Sequence, residues 1–106
     1  MSSIYSFPVK VVDCFTLRGL FNKHQFYAQV QSGTLTAKVK KNRHPSLPLA
    51  KEPFCTKSQI VFYYNADGDQ VAIVHQYLRT DGTIGLSGKP DPKKLRVDDV
   101  IYILDE

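Results

Sequence analysis

This chain has no tryptophan, only two cysteines, and no apolar run approaching the roughly 20 residues that a membrane-crossing helix requires. Its first residues, Met1-Ser2-Ser3-Ile4-Tyr5-Ser6-Phe7-Pro8, lack the basic stretch followed by an apolar stretch that marks a secretory leader. Cys14 and Cys55 stand far apart and outside any Cys-x-x-Cys pair, so free thiols in a reducing cytoplasm are expected. Paired zinc-ligand spacing is missing among Cys14, Cys55, His24, His44 and His75. Asp67 and Asp69 look like a fragment of a calcium loop, but no glutamate follows at the required position. There is no Gly-x-Ser-x-Gly elbow, no dinucleotide fingerprint and no Gly-x-x-x-x-Gly-Lys-Ser/Thr loop. No metal, no cofactor and no membrane partner is therefore expected.

What is present belongs to an ordinary globular domain. The 106 residues suit one domain, 1–106, large enough to fold without a disulfide or metal staple. A composition 42% hydrophobic and 23% charged disfavours disorder, collagen and coiled coil.

Alternation with a period of two dominates. In residues 25–31, Phe26, Ala28 and Val30 alternate with polar neighbours and Tyr27; after Ser32-Gly33, Leu35, Ala37 and Val39 alternate with Thr34, Thr36, Lys38 and Lys40. A two-residue Ser-Gly turn then sets Val30 against Leu35, Ala28 against Ala37 and Phe26 against Val39, which predicts an antiparallel hairpin. A second hairpin is predicted for residues 59–64 and 70–78 around Asp67-Gly68, pairing Tyr64 with Val71, Phe62 with Ile73 and Ile60 with His75. Its other face carries Val61, Tyr63, Ala72, Val74 and Leu78, so this ribbon should be central and covered, at least in part, on both sides. A turn at Asp81-Gly82 continues the meander, with Tyr77 meeting Leu86 and Arg79 meeting Ile84, and residues 100–104 read as a last strand.

Helix is scarce. Asp91-Pro92 ahead of Lys93, Lys94, Leu95 and Arg96 has the form of an N-cap with proline at the first helical position. Thr16 to Phe21 offers another turn, interrupted by Gly19. Residues 44–57 hold Pro45, Pro48 and Pro53 and read as a long loop. The expected fold is mainly β: an antiparallel meander or small open barrel of about six to seven strands, with one or two short helical turns.

Basic residues gather in two places. Lys38, Lys40, Lys41 and Arg43 form the first cluster; in the predicted hairpin Lys38 and Lys40 share a solvent face with Tyr27, which could neutralise phosphates and stack a base. Lysines on such a strand also serve simply to protect an edge from aggregation. The second cluster is Lys89, Lys93, Lys94 and Arg96, beside glycines and a candidate helix start that could meet an anion; ordinary turn chemistry accounts for the same residues. The net charge of +4 is modest, but Asp98, Asp99, Asp105 and Glu106 concentrate the acid at one end of the chain.

His75 sits inside a strong strand, with Tyr77 and Arg79 following on its face. Placed between apolar partners it reads as a buried, neutral ring with its N–H satisfied. The sharper reading is metal-independent acid–base work on a phosphodiester, with His75 moving the proton and Arg79 stabilising charge.

The stretch His75-Gln76-Tyr77-Leu78-Arg79-Thr80-Asp81-Gly82-Thr83-Ile84-Gly85, continuing through Ser87-Gly88-Lys89-Pro90-Asp91-Pro92-Lys93, resembles a segment of a family of small uncharacterised prokaryotic proteins. It covers under a fifth of the chain. The resemblance implies a bacterial type of source; it brings no activity and no functional residue with it.

Three functions follow from these features. The favoured one is a non-enzymatic binding module for RNA or another polyanion, an acidic protein included. The second is a ribonuclease-like enzyme centred on His75, Tyr77 and Arg79. The third is a protein-interaction or homo-oligomerisation domain.

Overall fold

The computed structural model describes residues 7–43, 51–85 and 88–105. After a first strand β1 (Val9–Val12), Asp13 turns the chain into helix α1 (Cys14–Lys23). The Asp13 carboxylate accepts a hydrogen bond from the Thr16 backbone N–H at 2.7 Å, satisfying one of the donors a helix start leaves unpaired. Leu17 and Phe21, four residues apart on one side of α1, are buried. Gln25 then takes a left-handed φ of 53° and starts a second helix, α2 (Phe26–Ser32), which Gly33 ends at a φ of 86°.

α2 replaces the first predicted hairpin. Phe26 and Val30 are four residues apart, a spacing that one face of a strand and one face of a helix both satisfy. The residues between them decide the matter: Ala28 is exposed, whereas Tyr27 packs partly buried against the core. Ser32-Gly33 is accordingly a helix end and not a hairpin turn. The remainder of that segment is β2 (Thr36–Arg43), which pairs instead with β3 (Lys57–Tyr64).

From β2 the chain walks back as an antiparallel meander through β3, β4 (Gln70–Leu78), β5 (Asp91–Val97) and β6 (Val100–Leu104). β6 ends beside β1 in parallel, giving one open mixed sheet in the order β1-β6-β5-β4-β3-β2. The fold is mainly β, as its alternation predicts, and the described residues form six strands and two helices of ten and seven residues in place of one or two turns.

In the β3–β4 hairpin the predicted pairs Phe62–Ile73 and Ile60–His75 are present. A bulge next to the turn sets Tyr64 against Gln70, not Val71. Farther along, Leu78 faces Ile84, one residue away from the predicted Arg79–Ile84 pair; the predicted Tyr77–Leu86 pair lies outside the described residues, as do residues 44–50 of the proline loop.

The predicted helical turn at Asp91 is a strand. Leu95 and Val97 are buried and alternate with Lys94 and Arg96, and that period outweighs the capping pattern. Pro92 is tolerated because it lies at a bulge and beyond the last β5–β6 pair, Lys94–Ile103.

Leu17, Phe21, Phe26 and Leu35 meet Val61, Tyr63, Ala72, Val74, Leu95 and Val97 in the core. Phe21 stacks on Phe26 with centroids 5.8 Å apart and leans on Tyr63 at 6.4 Å. Among the described residues both helices lie on this face of the sheet, so the β3–β4 ribbon is central, buried on its helix side and half-buried at Ile60, Phe62, Tyr64 and Ile73 on the helix-free, uncovered side, which matches the expectation of two-sided cover only in part.

The β5–β6 turn is Asp98-Asp99, with φ of 50° and 62°. Such a turn favours glycine at its second position. Asp99→Gly should raise stability by about 1 kcal/mol in a urea titration, since a side chain pays roughly that for left-handed backbone.

Candidate functional site

Cross-strand partners point to the same side of a sheet, so the registers define rows across the uncovered face. One row runs Lys38, Phe62, Ile73, Lys94, Ile103, Val11. On either side of it stand Thr36, Tyr64, Gln70 and, on β5 and β6, Arg96 and Ile101, then Lys41, Ile60, His75 and Asp91. Arg43, Ser58 and Tyr77 form the next row. The two basic clusters thus meet on one surface through Lys38, Lys40, Lys41 and Arg43 of β2 and Lys94 and Arg96 of β5, separated by aromatic and aliphatic side chains. Three strand spacings put Lys38 and Lys94 about 14 Å apart.

The lysines already use the rings. Lys38 Nζ lies 5.5 Å from the centroid of the Tyr64 ring, and Lys40 Nζ lies 5.5 Å from that of Phe62. Arg96 rests over Phe7 with 5.0 Å between guanidinium carbon and ring centroid, and pairs with Asp69 at 3.7 Å. The pair places the β3–β4 turn, with Asp67 and Asp69, beside the end of β5 that carries Asp98-Asp99. These two acidic turns lie at one end of the sheet, and the cations of β2 run away from them toward the end that carries the Asp81-Gly82 turn.

Not every expected residue joins this surface. Tyr27 is on α2, on the helix-covered side. Lys89 and Lys93 line a cleft of about 680 Å³ where β4 and β5 diverge, together with Arg18, Phe21, His75, Tyr77 and Asp91. Asp91 accepts from Arg18 Nε at 2.9 Å and pairs with Lys93 Nζ at 3.4 Å. Burial opposes its ionisation, but the Arg18 hydrogen bond and the charges of Lys93 and Arg18 outweigh that and hold its pKa below the usual value.

His75 is half-buried and opens onto this cleft, not into the dry interior expected for it. Its Nε2 shares a hydrogen bond of 2.8 Å with the Ser58 hydroxyl, and its ring meets Tyr77 edge-on at 4.7 Å. Arg79 is paired: its Nε donates to Glu52 Oε1 at 2.8 Å, and the Glu52 side chain is 2% exposed. Of the three residues named in the ribonuclease-like reading, His75 and Tyr77 line the cleft, and Arg79 is held by Glu52.

Ser58 and Arg18 were not singled out from the sequence. The hairpin register placed Ser58 diagonal to His75, so that signal was there to use; Arg18 needed a helix that the sequence shows only as a turn.

No family model, curated protein or solved structure matches this chain. Among the described residues no cluster of His, Cys, Asp or Glu could hold a metal ion, and no helix is long and apolar enough to cross a membrane.

Burial and the neighbouring Lys93 lower the His75 pKa below its ordinary 6.5, and Asp91 only partly offsets them. The unfolded chain then binds the proton more readily, so stability is full above about pH 6.5 and falls as the pH drops through the folded value. Urea titrations between neutral and mildly acidic pH should show that loss, and His75→Gln should flatten it. A second expectation concerns Gly85, where an added Cβ would come within 2.5 Å of the Glu52 carboxylate. Gly85→Ala should separate Glu52 from Arg79 and lower the melting temperature in a thermal scan.

Proposed function

We propose that the uncovered sheet face binds single-stranded nucleic acid, RNA above all, without catalysis. The observation that carries this reading is the meeting of both basic strands on one face around Phe62 and Tyr64. Phosphates suit Lys38, Lys40, Lys94 and Arg96 at the flanks, and bases suit the rings between them. A flat sheet offers no helix or ribbon to enter a duplex groove, which favours unpaired strands. Cytoplasmic placement and a prokaryotic source belong to the same proposal; Cys14 and Cys55 are both free thiols, which suits a reducing compartment.

Fluorescence anisotropy with labelled oligouridine tests it. Lys38→Glu and Lys94→Glu should each weaken binding, and each should reduce the slope of log affinity against log salt by roughly 0.7. Lys23→Glu, on α1, should leave binding unchanged. Equal binding by all four proteins overturns the reading. So does a concentration-dependent dimer that shields this face from the oligonucleotide, which would make it a self-association surface.

A further inference from the structure

The cleft at the β4–β5 fork has a makeup of its own. His75 and Asp91 are the last cross-strand pair before the two strands part. Beyond them α1 supplies Arg18 and Phe21, β4 supplies Tyr77, and the segment before β5 supplies Lys89 and Pro90. Its volume of about 680 Å³ lies inside the range of about 300–1,000 Å³ usual for small-molecule sites.

Asp91 is a strut more than a competitor. One of its oxygens takes the Arg18 Nε and the other faces Lys93 Nζ. One carboxylate thus spaces two cations and leaves them an uncompensated positive charge. The Arg18 guanidinium has further N–H donors, which suit a phosphate's paired oxygens. Ser58 engages Nε2 of His75, which leaves the other ring nitrogen as the one a ligand would meet.

We propose that this cleft binds a phosphomonoester group, because it brings Arg18, Lys93 and the His75 ring around one opening with Asp91 holding the two cations apart. A dianion there opposes the influence of Lys93 on His75 and favours the protonated imidazole. Binding should therefore raise the His75 pKa. Ser58 from β3 and Tyr77 from β4 touch the ring, the charges of Asp91 and Lys93 from β5 act on it, Arg18 from α1 and Lys89 from the preceding segment line the same cleft, and Arg43 of β2 is the strand partner of Ser58. The phosphate could come from a free nucleotide or from the end of a nucleic-acid strand, since His75 and Tyr77 also border the uncovered face.

Histidine ring NMR on the full chain tests this, with His24 as internal reference and inorganic phosphate, AMP and acetate as probes. Phosphate and AMP should saturate the His75 shift and raise its pKa while leaving His24 unmoved. Lys93→Met and Arg18→Met should each weaken AMP binding tenfold or more, and each spectrum also reports whether the variant is folded. A 5′-phosphorylated oligonucleotide that outbinds its 5′-hydroxyl twin assigns the cleft to strand ends. Tight AMP binding with no such difference assigns it to free nucleotides. No saturable shift with phosphate, or an equal shift with acetate, overturns the proposal. Because inorganic phosphate and AMP do not need the sheet face, Lys38→Glu should leave their binding intact, and the two proposals can fail separately.

Discussion

Chain path and burial together decide which surface is left for function. The polypeptide leaves β1 at one edge of the sheet and must reach β2 at the other, and α1 and α2 make that crossing over a single face. Phe21, Phe26 and Leu17 hold them there against Tyr63, Val61 and Val74. Each large side chain so buried contributes about 1.5–3 kcal/mol. With both helices committed to one side, the meander from β2 to β6 keeps its reverse face in reach of solvent. That face is far from purely polar: Phe62, Tyr64, Ile73, Ile101 and Ile103 are only half-buried, and Val9 and Val11 at its edge are 56% and 60% exposed.

Lysine stems partly shelter this surface. Long cationic side chains can lie over apolar area while their charges stay wet, and the Lys38 and Lys40 ammonium groups over Tyr64 and Phe62 do so. An exposed cation over a ring is worth about 0.5–1 kcal/mol. A base stacked on such a ring is worth about 1–3 kcal/mol, and the displaced ammonium gains a phosphate nearby. On the proposed reading the exchange would favour the nucleotide, so an arrangement that protects the free protein is compatible with a bound single strand.

Legibility in the sequence followed how many independent signals agreed at each segment. Between residues 59 and 78 the alternation of both strands and a strong Asp-Gly turn point to one register, and Phe62–Ile73 and Ile60–His75 pair accordingly. Between residues 25 and 33 there was only a short alternation, and Phe26 with Val30 fits helix and strand alike. The helix wins through tertiary packing: Phe26 stacks on Phe21, a contact that no count of neighbours along the chain contains. The site shows the same split. The cations were visible as clusters, whereas the Tyr27 ring assigned to them depended on the hairpin that did not form. Phe62 and Tyr64, the rings actually beside Lys38 and Lys40, were seen as sheet residues but could not be recognised as uncovered until the helices were placed.

Two bulges finish the separation of charge from core. In β5 the pairing passes from Ile73–Lys94 to Val74–Pro92, so Lys93 has no partner. Strict alternation would have set Lys93 opposite Val74 on the covered face. The bulge puts buried Pro92 there and leaves Lys93 at the cleft beside Asp91. In β2 the pairing passes from Val39–Val61 to Lys41–Ile60. A regular strand would have set Lys41 against buried Gln59. The bulge brings Asn42 there instead, and its side-chain oxygen accepts from Gln59 Nε2 at 3.3 Å while Gln76 donates to Gln59 Oε1 at 2.9 Å. At the buried position of Pro92 an unpaired ammonium would cost far more than the ladder bond a bulge disrupts. The β5 irregularity thus keeps Lys93 out of the core and at the cleft, the β2 irregularity keeps Lys41 on the open face of an edge strand that is exposed throughout, and the two adjacent lysines of β5 lie at different surfaces.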